Sequence, residues 1–165
     1  ITEYLKENGV TSAVINLGGN IAVIGEKPDG SEWNIGIERP YSDRTELIGS
    51  VAVSDTTVVT SGVYERKFIQ DGKLYHHILD PATGYPAATD IEAVTLTAAA
   101  GNSAFCDAVA TICLMAGSED ALELIKNLQQ QYPEMKLEAA FIDKNDKIVQ
   151  TDGMKIINAM KGREK

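Results

Sequence analysis

The sequence predicts an α+β domain, with antiparallel or mixed sheets and two main helices packed on them. Three observations carry this. Alternating and β-branched runs crowd the first hundred residues, two helix-length segments lie together between residues 101 and 133, and strands mostly precede helices instead of alternating with them. The last point argues against a doubly wound parallel sheet. The 165 residues, 44% hydrophobic and 24% charged, suit one globular domain able to bury a core without staples.

Taken in order, residues 1–9 read as the end of an amphipathic helix, with Ile1, Tyr4 and Leu5 on one side and Gly9 as its stop. Residues 11–19 and 20–27 are short strand-like runs broken at Gly18-Gly19-Asn20. The Pro28-Asp29-Gly30-Ser31 turn leads into an alternating run over 32–40. Residues 49–62 carry many β-branched side chains and read as strand. Residues 64–80 form a hairpin turning at Asp71-Gly72. A strand follows over 91–99, then a helix over 101–117, capped by Asn102 or Ser103 and ended by Gly117. A second helix covers 118–133, capped by Ser118 and stopped by Pro133. Residues 137–151 read as a hairpin turning at Lys144 to Asp146, and the tail beyond has no clear pattern and is expected to fray.

Composition excludes several classes of function. A net charge of −9 speaks against nucleic-acid binding, which needs clustered Lys and Arg. The same acidity means that a bound phosphate would need a cation beside it. No run approaches the ~20 apolar residues of a membrane helix, and no signal-peptide pattern is visible. The chain opens on Ile1 instead of Met, so its start is expected to lie upstream. Cys106 and Cys113 would sit two helical turns apart, roughly 10 Å, too far for a disulfide. They read as buried apolar residues, and no zinc spacing is present.

Four stretches carry candidate chemistry. Gly18-Gly19-Asn20 is either a plain hairpin turn or a bare backbone that admits an anion closely. Thr60-Ser61-Gly62 is either a turn or a holder of phosphate or ribose, and Tyr64 and Arg66 follow at strand spacing on one face. Arg66 could pair a phosphate or be a surface charge. The helix over 102–116 is small or apolar nearly all round, which predicts burial, and past its first turn only Asp107 and Thr111 interrupt it. Four apart, they share a face. A buried carboxylate needs a partner, either a cationic side chain or backbone N–H groups, or else a hard cation shared with phosphate oxygens. His76 and His77 are the chain's two histidines. On a strand they point to opposite faces, so one imidazole at most serves as a general base; Tyr75, His77 and Leu79 share one face, His76 and Ile78 the other. Both could equally be structural.

In this order the motifs closely resemble the C-terminal part of the ApbE family, the FAD:protein FMN transferases. The matching elements are the Gly18-Gly19-Asn20 turn, Ser61-Gly62-x-Tyr64-x-Arg66, His77-Ile78-x-Asp80-Pro81-x-Thr83-Gly84 and Asp107-Ala108-x-Ala110-Thr111. The resemblance implies an ApbE-like, T-fold-related fold. It implies FAD as substrate, Mg²⁺ as cofactor, and transfer of FMN to a threonine hydroxyl of an acceptor protein, a flavoprotein subunit of a redox complex, with release of AMP. It implies Asp107 and Thr111 as metal ligands and His77 as the base. Gly18, Gly19, Asn20, Ser61, Gly62, Tyr64, Arg66, His77 and Thr83 become the positions facing FAD. The family further implies a lipid-anchored protein on the extracytoplasmic face of the bacterial cytoplasmic membrane. It also implies an N-terminal stretch, with a Lys-Gly-Tyr-type element, that nothing here matches. The chain is therefore expected to be the C-terminal portion of a longer transferase and inactive alone. Two other readings stay open: an FAD pyrophosphatase giving FMN and AMP, and a flavin-binding module without turnover.

Overall fold

The computed structural model describes residues 1–42 and 46–157. A short helix, α1 (Thr2–Glu7), precedes strands β1 (Ala13–Asn16), β2 (Asn20–Ile24), β3 (Trp33–Glu38), β4 (Leu47–Val53) and β5 (Thr56–Gly62). The hairpin β6 (Lys67–Gln70) and β7 (Lys73–His76) follows, then β8 (Ile91–Ala99), α2 (Ser103–Ala116) and α3 (Ser118–Gln131). A 3-10 turn at Pro133–Met135 leads to β9 (Glu138–Asp143), β10 (Ile148–Gln150) and β11 (Ile156–Ile157). The end of the tail, 158–165, lies outside the described residues; β11 shows that its start is paired.

The architecture is α+β in three layers. A six-stranded sheet, ordered β1-β2-β5-β8-β9-β10, is covered on one face by α2 and α3 and on the other by a three-stranded sheet ordered β11-β4-β3. Every described pairing is antiparallel. The period of two divides the central strands between two cores. Val59, Val94, Leu96, Ala139 and Phe141 pack under the helices, whereas Val58, Ala93, Ala140 and Ile142 pack against the small sheet. Each fully buried large side chain contributes about 1.5–3 kcal/mol.

Several expectations are corrected. The run over 49–62 is two strands in different sheets. The chain crosses between layers at Ser54-Asp55, where Asp55 has φ +45° and its carboxylate accepts from the Gly25 N–H (3.0 Å) and Lys6 Nζ (3.2 Å). Both strands are β-branched, so composition hid the break. Helix α2 is buried along one stripe, Cys106, Val109, Ala110, Cys113 and Leu114, while Asp107, Ala108, Thr111 and Ile112 are exposed. Its small residues made it look buried all round. Asn102 takes the N-cap position of α2, but its side chain makes no cap bond: Asn102 Nδ2 donates to the Ala99 carbonyl (2.8 Å), and Ser103 shares a hydroxyl bond with Thr57 (2.5 Å).

The start of α3 is also held differently. Gly117 takes the N-cap position at φ +85°, and the carboxylate of Asp90 accepts from both the N–H of Ser118 (2.9 Å) and its hydroxyl. A β-carbon on Gly117 would lie 3.0 Å from Asp90 Oδ1, so glycine makes room for this remote cap. Burial pushes the Cys106 thiol up to about 11 and that of Cys113 to about 12, which suits inert core residues.

The bonds from Ser118, its hydroxyl first, hold the Asp90 carboxyl below the usual carboxylate range. Asp90→Ala should therefore lower stability by about 0.5–2 kcal/mol at neutral pH, as loss of a cap does. A depressed carboxylate stabilises above its unfolded value, about 3.9, and that contribution is lost as pH falls through the folded value. Urea melts of both proteins between pH 7 and pH 3 should thus converge on the acid side.

Candidate functional site

The hydrogen bonding of β2 to β5 builds one wall. Thr60 N–H donates to the Gly19 carbonyl (2.8 Å), and Gly18 N–H donates to Asn16 Oδ1 (2.9 Å), which fixes the turn. Gly18 and Gly19 have φ of +76° and +86°, where side chains are disfavoured. At Gly19 space is also closed, since a β-carbon would sit 2.9 Å from the Thr60 carbonyl oxygen. The end of β5 adds Ser61 and Gly62, α2 presents Asp107 and Thr111, and the chain leaving β7 presents His77.

These segments enclose a cleft of about 340 Å³ lined by Gly18, Gly19, Asn20, Thr60, Ser61, Gly62, Glu65, Arg66, His77, Ile78, Leu79, Asp107 and Thr111. Every predicted position but Tyr64 and Thr83 is present. Tyr64 and Arg66 do not share a face, because residues 63–66 form a turn and bend and not a strand. Tyr64 lines an adjoining cavity of about 150 Å³ with Ile21, Ile35, Gly36 and Glu38. Thr83 belongs to the turn: its hydroxyl donates to Asp80 Oδ2 (3.1 Å) and accepts from the Tyr85 N–H (3.3 Å). A larger cavity, about 510 Å³ at the end of α3, contains no predicted residue.

Asp107 is exposed, so the burial argument for a partner falls; among the described residues its carboxylate has no hydrogen bond or ion pair. Thr111 Oγ1 donates to the Asp107 carbonyl (3.2 Å), the back-bond of a helical threonine, which leaves its lone pairs free. Among the described residues no three His, Cys, Asp or Glu gather as a protein-only metal cluster. His77 is exposed to the cleft, and its N–H donates to the Arg66 carbonyl (3.1 Å). His76 is half-buried, and burial, then the neighbouring His77, holds its imidazole below the ordinary value.

Sequence reasoning named Thr60 in a candidate stretch without carrying it to the positions facing FAD, and it missed Glu65, Ile78 and Leu79 as lining residues. Leu79 was within reach, since alternation from His77 places it on the same face. The place of Thr60 is set by pairing with β8, where its hydroxyl meets that of Thr95 (3.0 Å).

Residues 1–135 match the ApbE family. The chain belongs to the ApbE family. It is 37% identical over 149 residues to an FAD:protein FMN transferase of Klebsiella pneumoniae (strain 342), covering 90% of this chain and 43% of the relative. It is 40% identical over 134 residues to that of Treponema pallidum (strain Nichols), covering 76% and 36%. Among solved structures, the apo flavinyl transferase ApbE of Pseudomonas stutzeri matches with a TM-score of 0.66 at 31% identity, covering 96% of this chain and 45% of that one. The ApbE protein of Thermotoga maritima matches with a TM-score of 0.69 at 31% identity, covering 86% and 43%. The chain thus spans less than half the length of these relatives.

The glycine turn gives a graded test. Gly18→Ala places a side chain at positive φ in open space, whereas Gly19→Ala adds a collision with the Thr60 carbonyl. Gly18→Ala should cost about 1 kcal/mol and Gly19→Ala distinctly more, read as urea midpoints. Equal losses would show that strain alone matters at this turn.

Proposed function

We propose that this chain supplies the diphosphate-handling part of an FAD:protein FMN transferase, acting with Mg²⁺ on a threonine hydroxyl of an acceptor protein and releasing AMP. One observation carries the reading: a single cleft joins bare glycine backbone, a cation, an imidazole and a carboxylate with no partner among the described residues, from four separate segments. The relatives' name, FAD:protein FMN transferase, supports it.

The donor set fits Mg²⁺ held jointly with a phosphate ligand. Asp107 and Thr111 offer two hard oxygens on one helix face, and this ion commonly takes one or two carboxylates and completes its shell with phosphate and water. When bound, it would neutralise charge developing on the diphosphate. That need is acute in a chain of net charge −9.

The chain's own groups do the rest. Gly18 and Gly19 let the diphosphate approach the backbone, and Arg66 offers a planar cation to its oxygens. His77 takes the proton of the threonine hydroxyl as its oxygen bonds to the FMN phosphorus. The bond from that phosphorus to the AMP oxygen breaks, and AMP leaves with the electron pair. Water in place of threonine would give FMN and AMP; His77 is exposed, so water reaches it. We also propose that the reaction takes place on the extracytoplasmic face of the bacterial cytoplasmic membrane, with the protein held by a lipid anchor; fractionation of cells expressing the protein tests this.

In the protein carrying this chain, Asp107→Ala should abolish FMN transfer and its dependence on added Mg²⁺. His77→Gln should lower kcat by roughly 10²–10⁴ while FAD binding persists. Normal transfer by Asp107→Ala would remove the metal assignment and favour a binding module. Rapid AMP release from FAD without acceptor would favour the hydrolase.

A further inference from the structure

The hairpin of β6 and β7 is a separate two-stranded sheet, and among the described residues neither of its outer edges pairs with another strand. Its turn, Asp71-Gly72, has positive φ at both residues (+52° and +74°), the I′ geometry that keeps a hairpin twisted and narrow. Every residue of β6 is exposed, Phe68 at 59% and Ile69 at 71%. Surfaces of this kind, apolar with open edges, are templates for another chain.

Register decides which face matters. Lys67 is opposite His76, Phe68 opposite Tyr75, Ile69 opposite Leu74 and Gln70 opposite Lys73. The bond from His77 N–H to the Arg66 carbonyl carries the ladder one step further, to Arg66 and His77, and both of these line the cleft. Alternation therefore puts Arg66 and His77, Phe68 and Tyr75, and Gln70 and Lys73 on one face. The Phe68 and Tyr75 rings stack with centroids 5.0 Å apart and planes 4° apart. Lys73 Nζ reaches over Tyr75 (5.5 Å) and Tyr85 (6.0 Å), so the exposed Tyr85 joins the strip. Among the described residues of the hairpin this face carries two cations, Arg66 and Lys73, in a chain of net charge −9, and the nearby carboxylates of Glu65 and Asp107 line the cleft.

We infer that this strip is the docking platform for the acceptor polypeptide, which lies extended along it with its threonine at His77. The inference rests on the transferase reading. A protein hydroxyl can reach His77 only if its flanking residues lie on the cleft's rim, and this strip leaves the cleft from His77 itself. Pairs on one face are about 7 Å apart, the spacing of alternate residues in an extended chain. The acceptor residue two positions from the threonine therefore meets the Phe68–Tyr75 stack, and the one four positions away meets Lys73. The acceptor is an extended segment with an apolar or aromatic residue at the first position and a carboxylate at the second.

The test compares Phe68→Ala/Tyr75→Ala with Ile69→Ser, a control on the opposite face. In the protein carrying this chain, the double variant should raise KM for acceptor at least tenfold, with kcat at saturating acceptor and KM for FAD unchanged; Ile69→Ser should change none of them. The partner measurement needs no turnover: anisotropy of a labelled peptide with this pattern, its threonine replaced by valine, without FAD. The double variant should weaken its Kd at least tenfold, and Lys73→Glu should weaken it further. A rise in KM for FAD alone would assign the strip to flavin and overturn the inference. So would equal losses in Ile69→Ser, or no binding of the peptide by the unaltered protein. Failure of the transferase reading looks different, because the unaltered protein would then bind the peptide yet transfer no FMN to its threonine form.

Discussion

The pairing of β5 with β8 over seven residue positions is the constraint on which the rest depends. β8 is buried on both faces, so a slip of one residue would exchange its two sets of side chains between the helix core and the small-sheet core. With that register set, Thr60 meets Thr95, the end of β5 projects Ser61 and Gly62, and β2 aligns Gly19 with Thr60. On the far side, α2 follows β8 directly and packs one stripe back onto it, which turns Asp107 and Thr111 outward to the same cleft. The site is thus assembled by strands that gain nothing from the chemistry.

Much of this was legible in the sequence, for local reasons. Asp71-Gly72 can form a tight hairpin whatever surrounds it, and Gly117 can end one helix anywhere. The strand over 91–99 declares itself because apolar and β-branched residues fill it, with Glu92 the one charged exception. What stayed hidden depended on distant partners. The break at Asp55 is satisfied by Gly25 and Lys6, and the start of α3 by Asp90; both lie well outside any local window. Thr83 followed the same logic in reverse, since a motif position that looked ligand-facing is occupied in closing its own turn.

The exposure of Asp107 changes the case for a cation without removing it. A buried carboxylate would have demanded a partner at once; an exposed one can remain hydrated until a ligand arrives. That fits an ion brought with, or shared by, a phosphate substrate better than a permanent structural metal, for which the described residues offer no cluster. The neighbouring Glu65 reinforces the point, because a cleft with two carboxylates and one guanidinium does not favour a bare diphosphate.

The paired histidines show how strand geometry divides labour between identical side chains. Alternation sends His76 toward the body of the protein, where burial favours the neutral ring, and leaves His77 at the cleft. The same alternation, continued outward, sets Phe68 and Tyr75 in line with His77 and puts Ile69 and Leu74 behind. A hairpin that ended at the cleft would need none of its outer residues. This one extends beyond it, narrow and, among the described residues, unpaired at both edges, with its aromatic pair on the side of the candidate base. Packing within the described residues does not account for that placement, because Phe68 is exposed there; a polypeptide laid across the cleft mouth would cover it.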